Sequence, residues 1–312
     1  VKPAAFDYVV PRTVGEALDA LSDTGRDARV LAGGQSLILE MHLQRIRPDL
    51  VVDINRVAGL DHLRLDDDAV RVGALVRHGV FESPQAVPGP LGRLFALAVV
   101  NIAHPPIRAR GTMVGSLAWA HPASEWCALA LALDADIELR DSGGGREVAA
   151  RDYFRGPYQT ARRPQELITS VRFPLLDDDT GVGFIEHRRT HFCFAQAAVA
   201  ATLTVHDGLI SEARIGLVNC ADRPVRARAA EQALIGAEID AFAVGKRPLT
   251  DHLLARAGRF AAEQDAAPLP EPYADVEYRR QAIAVLVGRT LCQAATDRRS
   301  HARLTGPEGG HR

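Results

Sequence analysis

The chain has almost no lysine: Lys2 and Lys246 are its only ones, and the rest of its 37 basic residues are arginine. Cysteine is equally scarce, with four in 312 residues (Cys127, Cys193, Cys220 and Cys292), none of them in a C-x-x-C pair. That spacing offers no zinc or iron–sulfur ligand set, and it is the usage expected of a protein in a reducing cytoplasm. Aromatic residues make up only 5% of the chain. The apolar runs are short, the longest lying around 127–133, so no segment reads as a membrane span. The N-terminus lacks the positive region and apolar core of a signal peptide. Acidic residues number 39, which leaves a net charge of −2 and no basic surplus for nucleic acid or an anionic membrane surface. The arginine preference reads as coding bias. What remains is 47% hydrophobic and 24% charged, ordinary for a soluble globular protein and long enough for about two or three compact units.

Two short glycine-bearing loops stand out. Ala32-Gly33-Gly34-Gln35-Ser36 and Gly111-Thr112-Met113-Val114-Gly115-Ser116 each follow one apolar stretch and precede another. Glycine permits close approach and positive φ, so the backbone amides of such loops can turn toward one diphosphate. Either loop alone is ordinary turn chemistry. Two of them converging on one dinucleotide would build a cofactor site from separate parts of the chain.

The surrounding pattern is mixed α and β. Strands are expected at 6–10, 29–32 and 50–54, with a helix opened by the Thr13/Glu16 capping-box spacing and another from Ser36 to about Leu43. Segments 62–65 and 70–73 flank the acidic turn Asp66-Asp67-Asp68, whose consecutive carboxylates lack the alternation of a calcium loop. Helices are expected at 91–100 and 125–133, a hairpin at 136–149 and a strand at 167–173 stopped by Pro174. Residues 175–181 read as a linker. A second hairpin, 197–206 with 210–218, turns at Asp207-Gly208, and helices follow at 227–234, 251–262 and 278–295. From Arg298 the text is polar and glycine-bearing and reads as disordered.

The segment Asn101-Ile102-Ala103-His104-Pro105-Pro106-Ile107-Arg108-Ala109-Arg110-Gly111-Thr112, with Val114-Gly115-Ser116-Leu117-Ala118 and Pro122-Ala123-Ser124-Glu125, resembles the FAD-binding medium subunit of the molybdenum hydroxylases, the relatives of xanthine dehydrogenase and aerobic carbon monoxide dehydrogenase. The first loop, Asp53-Ile54-Asn55-Arg56 with Gly59-Leu60, then Leu167-Ile168, Arg172-Phe173-Pro174 and 198–203 extend the resemblance, in order, over nearly the whole chain. It implies an α+β fold: a PCMH-type FAD-binding domain of two subdomains, 1–58 and 59–176, then a C-terminal domain over 177–296 with a small antiparallel sheet and helices, and a tail at 297–312. It implies an oxidoreductase subunit holding FAD. Electrons would come from the two 2Fe-2S clusters of a small partner subunit, fed by the molybdopterin of a large one, and leave to an external acceptor. The assembly would be a dimer of heterotrimers. By position, Ala32, Gly33, Gly34, Gln35 and Ser36 would cradle the diphosphate, with Ile102 near the flavin ring. Thr112, Gly115 and Ser116 would complete the phosphate and ribityl contacts. Glu125, as an ionised carboxylate, would accept from ribityl hydroxyls, and Leu167 or Ile168 would contact the adenine or ring system. None of these is a general acid or base, since the flavin carries the redox chemistry.

Three departures from the family pattern matter. Val114 replaces the first of two usual glycines, a costly residue if that position needs positive φ. His121 stands where aspartate is common. Phe192-Cys193-Phe194-Ala195 replaces a Gly-Asp-Phe-Ala stretch that lies near the flavin ring in the family. These departures keep two alternatives open, a stand-alone flavoprotein and an FAD-free scaffold subunit. Cys193 between two phenylalanines reads as a buried thiol, and His104, His121, His187 and His191 as surface or hydrogen-bonded residues. Trp119 and Trp126 read as packing residues, with Trp119 alternatively bordering the cofactor.

Overall fold

The computed structural model describes residues 2–238 and 252–305. The chain forms two compact units, and neither is continuous in sequence: the first takes in 1–80, 104–121 and 134–174, the second 81–103, 122–133 and 175–312.

The first unit opens with β1 (Asp7–Val9), α1 (Val14–Leu21), β2 (Ala28–Leu31), α2 (Leu37–His42) and β3 (Leu50–Asp53), whose strands form a parallel sheet in the order β1-β3-β2. The Thr13 side chain accepts from Glu16 N at 3.1 Å, while Glu16 Oε2 accepts from Arg12 N at 2.7 Å, so the expected capping residues do start α1. Its inner face buries Ala17, Leu18 and Leu21. A second, antiparallel sheet has the order β4-β5-β10-β6-β7, from β4 (Leu63–Leu65), β5 (Ala69–Gly73), β6 (Asp136–Asp141), β7 (Gly144–Ala149) and β10 (Leu167–Pro174). Pro174 still pairs with Ala69 as the last residue of β10. The ribbon β8 (Phe154–Gly156) and β9 (Gln159–Thr160) and the short helices α4 (Pro105–Arg108), α5 (Met113–Trp119) and α7 (Ala150–Tyr153) complete this unit.

The second unit is built on an antiparallel sheet of β11 (Thr180–His187), β12 (Ala197–His206), β13 (Leu209–Val218) and β14 (Val225–Arg226). Asp207 and Gly208 turn the β12–β13 hairpin with φ of 51° and 80°, the paired positive values of a type I′ turn. The helices α8 (Arg228–Gln232), α9 (His252–Phe260) and α10 (Val276–Thr305) join the sheet in an apolar core centred on Leu203, Ile215, Leu217, Ile283 and Val287. α10 lies so close to β11 that a Cβ on Gly181 would come within 2.0 Å of Ala294 O, which is why that position takes glycine.

Two helices from earlier in the chain belong to this unit as well: α3 (Gly89–Val99) packs on β11 and α6 (Glu125–Ala132) on β13. The expected partition was linear, with breaks at 58 and 176; the units divide at 174/175, while 81–103 and 122–133 pack with the C-terminal segment and 1–80 stay together. Trp126 of α6 is fully buried, edge-on to Phe81 and Phe95 with ring centroids 5.3 Å away in each case.

Three further expectations change. Residues 180 and 181, read as part of a linker, begin β11, a strand that the sequence did not announce. α10 continues to Thr305, so 298–305 are helical where disorder was expected. Asp297 ion-pairs with Arg93 at 3.0 Å and accepts from Val182 N at 3.1 Å, and Arg298 Nε donates to Asp179 O at 3.1 Å. Cys193 is exposed rather than buried: it lies in the surface stretch 189–194 between β11 and β12, and its thiol donates to Thr190 O at 3.0 Å. Asp251, where a helix was expected to begin, and 306–312 lie outside the described residues. Among the described residues no helix is long and apolar enough to cross a membrane.

Candidate functional site

The first glycine loop leaves the end of β2, and the second runs into α5. Both belong to the first unit, and their backbones touch. A Cβ on Gly33 would fall 2.5 Å from Arg110 O and 2.6 Å from Gly111 Cα, so only glycine permits this contact. Gly34 follows with φ 75°, the left-handed region. Among the described residues, no protein acceptor receives the backbone N–H of Gly33, Gly34, Gln35 or Ser36. Four consecutive unpaired amides in a turn are an anion-binding concavity that waits for an acceptor.

One side-chain relay ties the loops together. Asn55, just after β3, donates from Nδ2 to Ala32 O at 2.8 Å. Arg77 donates from Nη2 to Asn55 Oδ1 at 2.7 Å and from Nη1 to Arg110 O at 2.5 Å. Removing the relay with Asn55→Ala is expected to cost roughly 1–3 kcal/mol, since Arg77 and Ala32 O each lose a part-buried partner. A urea unfolding midpoint equal to that of the wild type would show the relay to be dispensable.

Both loops open on one cleft of ≈ 1010 Å³, measured out to open solvent. Of the residues singled out in the sequence, Ala32, Gly33, Gly34, Gln35, Ser36, Thr112, Gly115, Ser116, Leu167 and Ile168 all line it. Thr112 caps α5, its hydroxyl accepting from Gly115 N at 3.0 Å. Val114 lines the cleft from the first turn of α5 with φ outside the positive range, so its β-branch brings no backbone strain. Trp119 borders the cleft, edge-on to Tyr158 at 5.6 Å. His121, half-buried, packs edge-on to the same tyrosine at 5.3 Å, and burial lowers its pKa.

Several lining residues carry no motif and were missed. His78 is buried against Gly111, and desolvation, aided by Arg108 and Arg77, brings its pKa down to about 4, so the imidazole is neutral at pH 7. Arg29, Arg162 and Glu166 line the cleft with Leu167 and Ile168. No periodicity or spacing marks them; only the folded chain does.

Ile102 and Glu125 belong to the second unit and do not line this cleft. Ile102 follows α3, its N–H donating to Val99 O at 3.0 Å. Glu125, the first residue of α6, is buried. Desolvation, with Glu186 adding to it, raises its pKa to about 8. The expected ionised carboxylate is therefore a neutral acid at pH 7, because burial beside a second carboxyl penalises the charge. Glu186 in β11 is pushed to about 7 by burial, with Arg188 Nη1 3.6 Å from its Oε1. Arg188 is held by Asn101, donating to Oδ1 at 2.9 Å. His187 Nε2 lies 2.7 Å from Tyr278 OH, a hydrogen-bonded histidine, and among the described residues no cluster of histidine, cysteine and carboxylate could hold a metal ion.

Comparison with known proteins matches residues 4–176 to the FAD binding domain in molybdopterin dehydrogenase and residues 184–294 to the CO dehydrogenase flavoprotein C-terminal domain. The chain is 36% identical to the 6-hydroxypseudooxynicotine dehydrogenase complex subunit alpha of Paenarthrobacter nicotinovorans, covering 94% of this chain and 96% of that one. It is 34% identical to the carbon monoxide dehydrogenase medium chain of Afipia carboxidovorans, covering 94% and 97%. The solved structure of carbon monoxide dehydrogenase from Hydrogenophaga pseudoflava superposes with a TM-score of 0.87 at 32% identity, over 96% of this chain and 99% of that one.

Proposed function

This chain belongs to the FAD-binding medium subunits of the molybdenum hydroxylases, flavin-dependent oxidoreductases, and we propose that it passes electrons from the 2Fe-2S clusters of a small partner subunit to an external acceptor. A large molybdopterin subunit would complete the complex. The observation that carries this reading is the row of unpaired amides from Gly33 to Ser36, facing a cleft that both glycine loops line.

The residues present fit the cofactor. Two negative phosphates need donors and tolerate little bulk, and the first loop supplies amides with no Cβ at Gly33 or Gly34. Gln35 and Ser36 add side-chain donors, although Gln35 Nε2 rests on Gly33 O at 3.0 Å. Thr112, Gly115 and Ser116 would close the other side, and Leu167 and Ile168 would flank a ring. Bound there, FAD would supply the redox chemistry, taking electrons singly or in pairs. The protein's part is to fix the cofactor, to keep neutral His78 beside it and to shield it from water. Val114 sits in ordinary helical backbone, so its β-branch puts no strain on the second loop.

The test is native purification of the chain with any co-purifying subunits, followed by a visible spectrum and identification of the released flavin. One FAD per chain is expected, with a cluster-bearing subunit and a molybdopterin-bearing subunit alongside. A colourless chain that takes up no FAD when it is supplied would overturn the reading.

A further inference from the structure

A second cleft opens in the first unit and shares no lining residue with the cofactor cleft, although the two have a wall in common. Along that wall the chain alternates between them: Ile54, Ala74 and His78 line the first, and Asn55, Leu75 and Arg77 the second. The second measures ≈ 1040 Å³ out to open solvent. Backbone hydrogen bonds hold its sides. Leu75 N donates to Leu60 O at 2.8 Å, Gly73 N to His62 O at 2.9 Å and Ala58 N to Arg12 O at 3.0 Å. Asp53 caps the turn that carries Arg56, its Oδ1 accepting from Asn55 N at 2.9 Å. The cleft is therefore shaped by the backbone and needs no ligand to form it.

Its charged groups are unevenly satisfied. Arg77 is half-buried and uses one N–H of Nη1 on Arg110 O and one of Nη2 on Asn55 Oδ1. The relay thus accounts for two of the five N–H groups of a guanidinium. No acceptor takes the others and no carboxylate ion-pairs with Arg77 among the described residues. Burial, reinforced by Arg110, lowers its pKa, with Asp53 opposing. Arg56, on the exposed turn, has neither a side-chain hydrogen bond nor an ion pair among the described residues. The same holds for Asp61, the acid on this lining. Two guanidiniums against one carboxylate leave the cleft with a surplus of positive charge. The rest of the wall is apolar, with Leu63, Leu75, Val76 and a Val80 that is 42% exposed.

That lining selects a ligand chemistry. A planar guanidinium matches a carboxylate edge to edge. The small positive surplus suits a monoanion, whereas the second charge of a phosphate dianion would be repelled by Asp61. The leucine and valine wall suits a body that is apolar beyond its acid group. We infer that this cleft is a second small-molecule site, which takes a monocarboxylate with a compact apolar body and holds its carboxylate between Arg56 and Arg77. The site goes beyond the cofactor reading and does not depend on FAD occupying the first cleft.

Calorimetric titration of the full chain tests this, with benzoate as the probe and benzamide as its uncharged counterpart. Benzoate should bind saturably and benzamide should not. Arg56→Gln should weaken benzoate about tenfold through the loss of charge-assisted hydrogen bonds. Its melting temperature should be unchanged, because the side chain is exposed and supports nothing else. Asp61→Asn should strengthen benzoate about two- to threefold by removing a repulsion. Opposite effects from two exposed positions are a result that damaged folding does not produce. The unpaired amides from Gly33 to Ser36 are the rival anion site, so the titration is repeated with saturating FAD, which should leave benzoate affinity unchanged. No saturable binding to wild type, or wild-type affinity in Arg56→Gln, would overturn the inference. Displacement of benzoate by FAD would also overturn it, placing the probe on the amides. A chain that takes up no FAD yet binds benzoate with both shifts would overturn the cofactor reading and support this site.

Discussion

Gly33→Val is expected to give a chain that purifies without flavin. At this position the neighbours of a side chain are backbone atoms, Arg110 O at 2.5 Å and Gly111 Cα at 2.6 Å, and neither can swing aside as a side-chain end would. The two loops must separate, and the row of amides from Gly33 to Ser36 loses its place opposite the second loop. The cost to stability, about 1–3 kcal/mol for overpacking, is small beside the loss of a cofactor site made from both loops. Gly34→Ala is the matched control. It introduces left-handed strain of about 1–2 kcal/mol, but its Cβ would meet only the side chains of Leu31 at 3.2 Å and Ile38 at 3.4 Å. It should weaken FAD binding and leave the chain yellow. The measurement is released FAD per chain, read beside the melting temperature of each variant. A folded Gly33→Val chain with stoichiometric FAD would remove the first loop from the diphosphate.

What the sequence revealed and what it hid divide along the range of the interactions. Thr13 with Glu16 and Asp207 with Gly208 act within a few residues, so cap and hairpin could be read directly. The glycine loops were legible for the same reason: a local requirement for small residues leaves a local mark. The interleaving of the two units left none, because the apolar faces of α3 and α6 look the same whichever sheet they cover, and their partners β11 and β13 are distant in sequence. α10 outran its apolar pattern because polar contacts, Asp297 with Arg93 and Arg298 with Asp179 O, hold its charged end. His78, Arg162 and Glu166 are single residues whose importance comes from the cleft that surrounds them, and no spacing rule could select them. Cys193 is exposed because the whole stretch 189–194 between β11 and β12 lies at the surface, a placement that two flanking phenylalanines do not advertise.

Glu125 leads to the second large effect, a pH-dependent stability that Glu125→Gln should flatten. Folded, its carboxyl is raised from the usual 4.5 to about 8, by desolvation first and Glu186 second, with its own backbone N–H and Arg188 opposing. Glu186 is raised to about 7 by its own burial. The nearby Cys127 is pushed up to about 12 and stays a thiol throughout. A carboxyl with a raised folded pKa binds more protons folded than unfolded between the two values, so this contribution to stability is complete below the unfolded pKa. It is lost as pH rises through the folded pKa. Wild-type stability should therefore fall from about pH 5 to about pH 9, by an amount on the order of 4 kcal/mol for Glu125 alone. Glutamine keeps the shape and cannot ionise, so the variant should unfold at a higher denaturant concentration than wild type at the alkaline end and show a shallower slope. Glu186→Gln should act in the same direction with a smaller effect, because Arg188 at 3.6 Å compensates part of that charge. As a neutral acid, Glu125 can donate to a hydroxyl as well as accept from one, which an ionised carboxylate cannot. Parallel stability–pH curves for wild type and Glu125→Gln would mean that the carboxyl ionises normally in the folded chain, and that the second unit tolerates the charge its burial argues against.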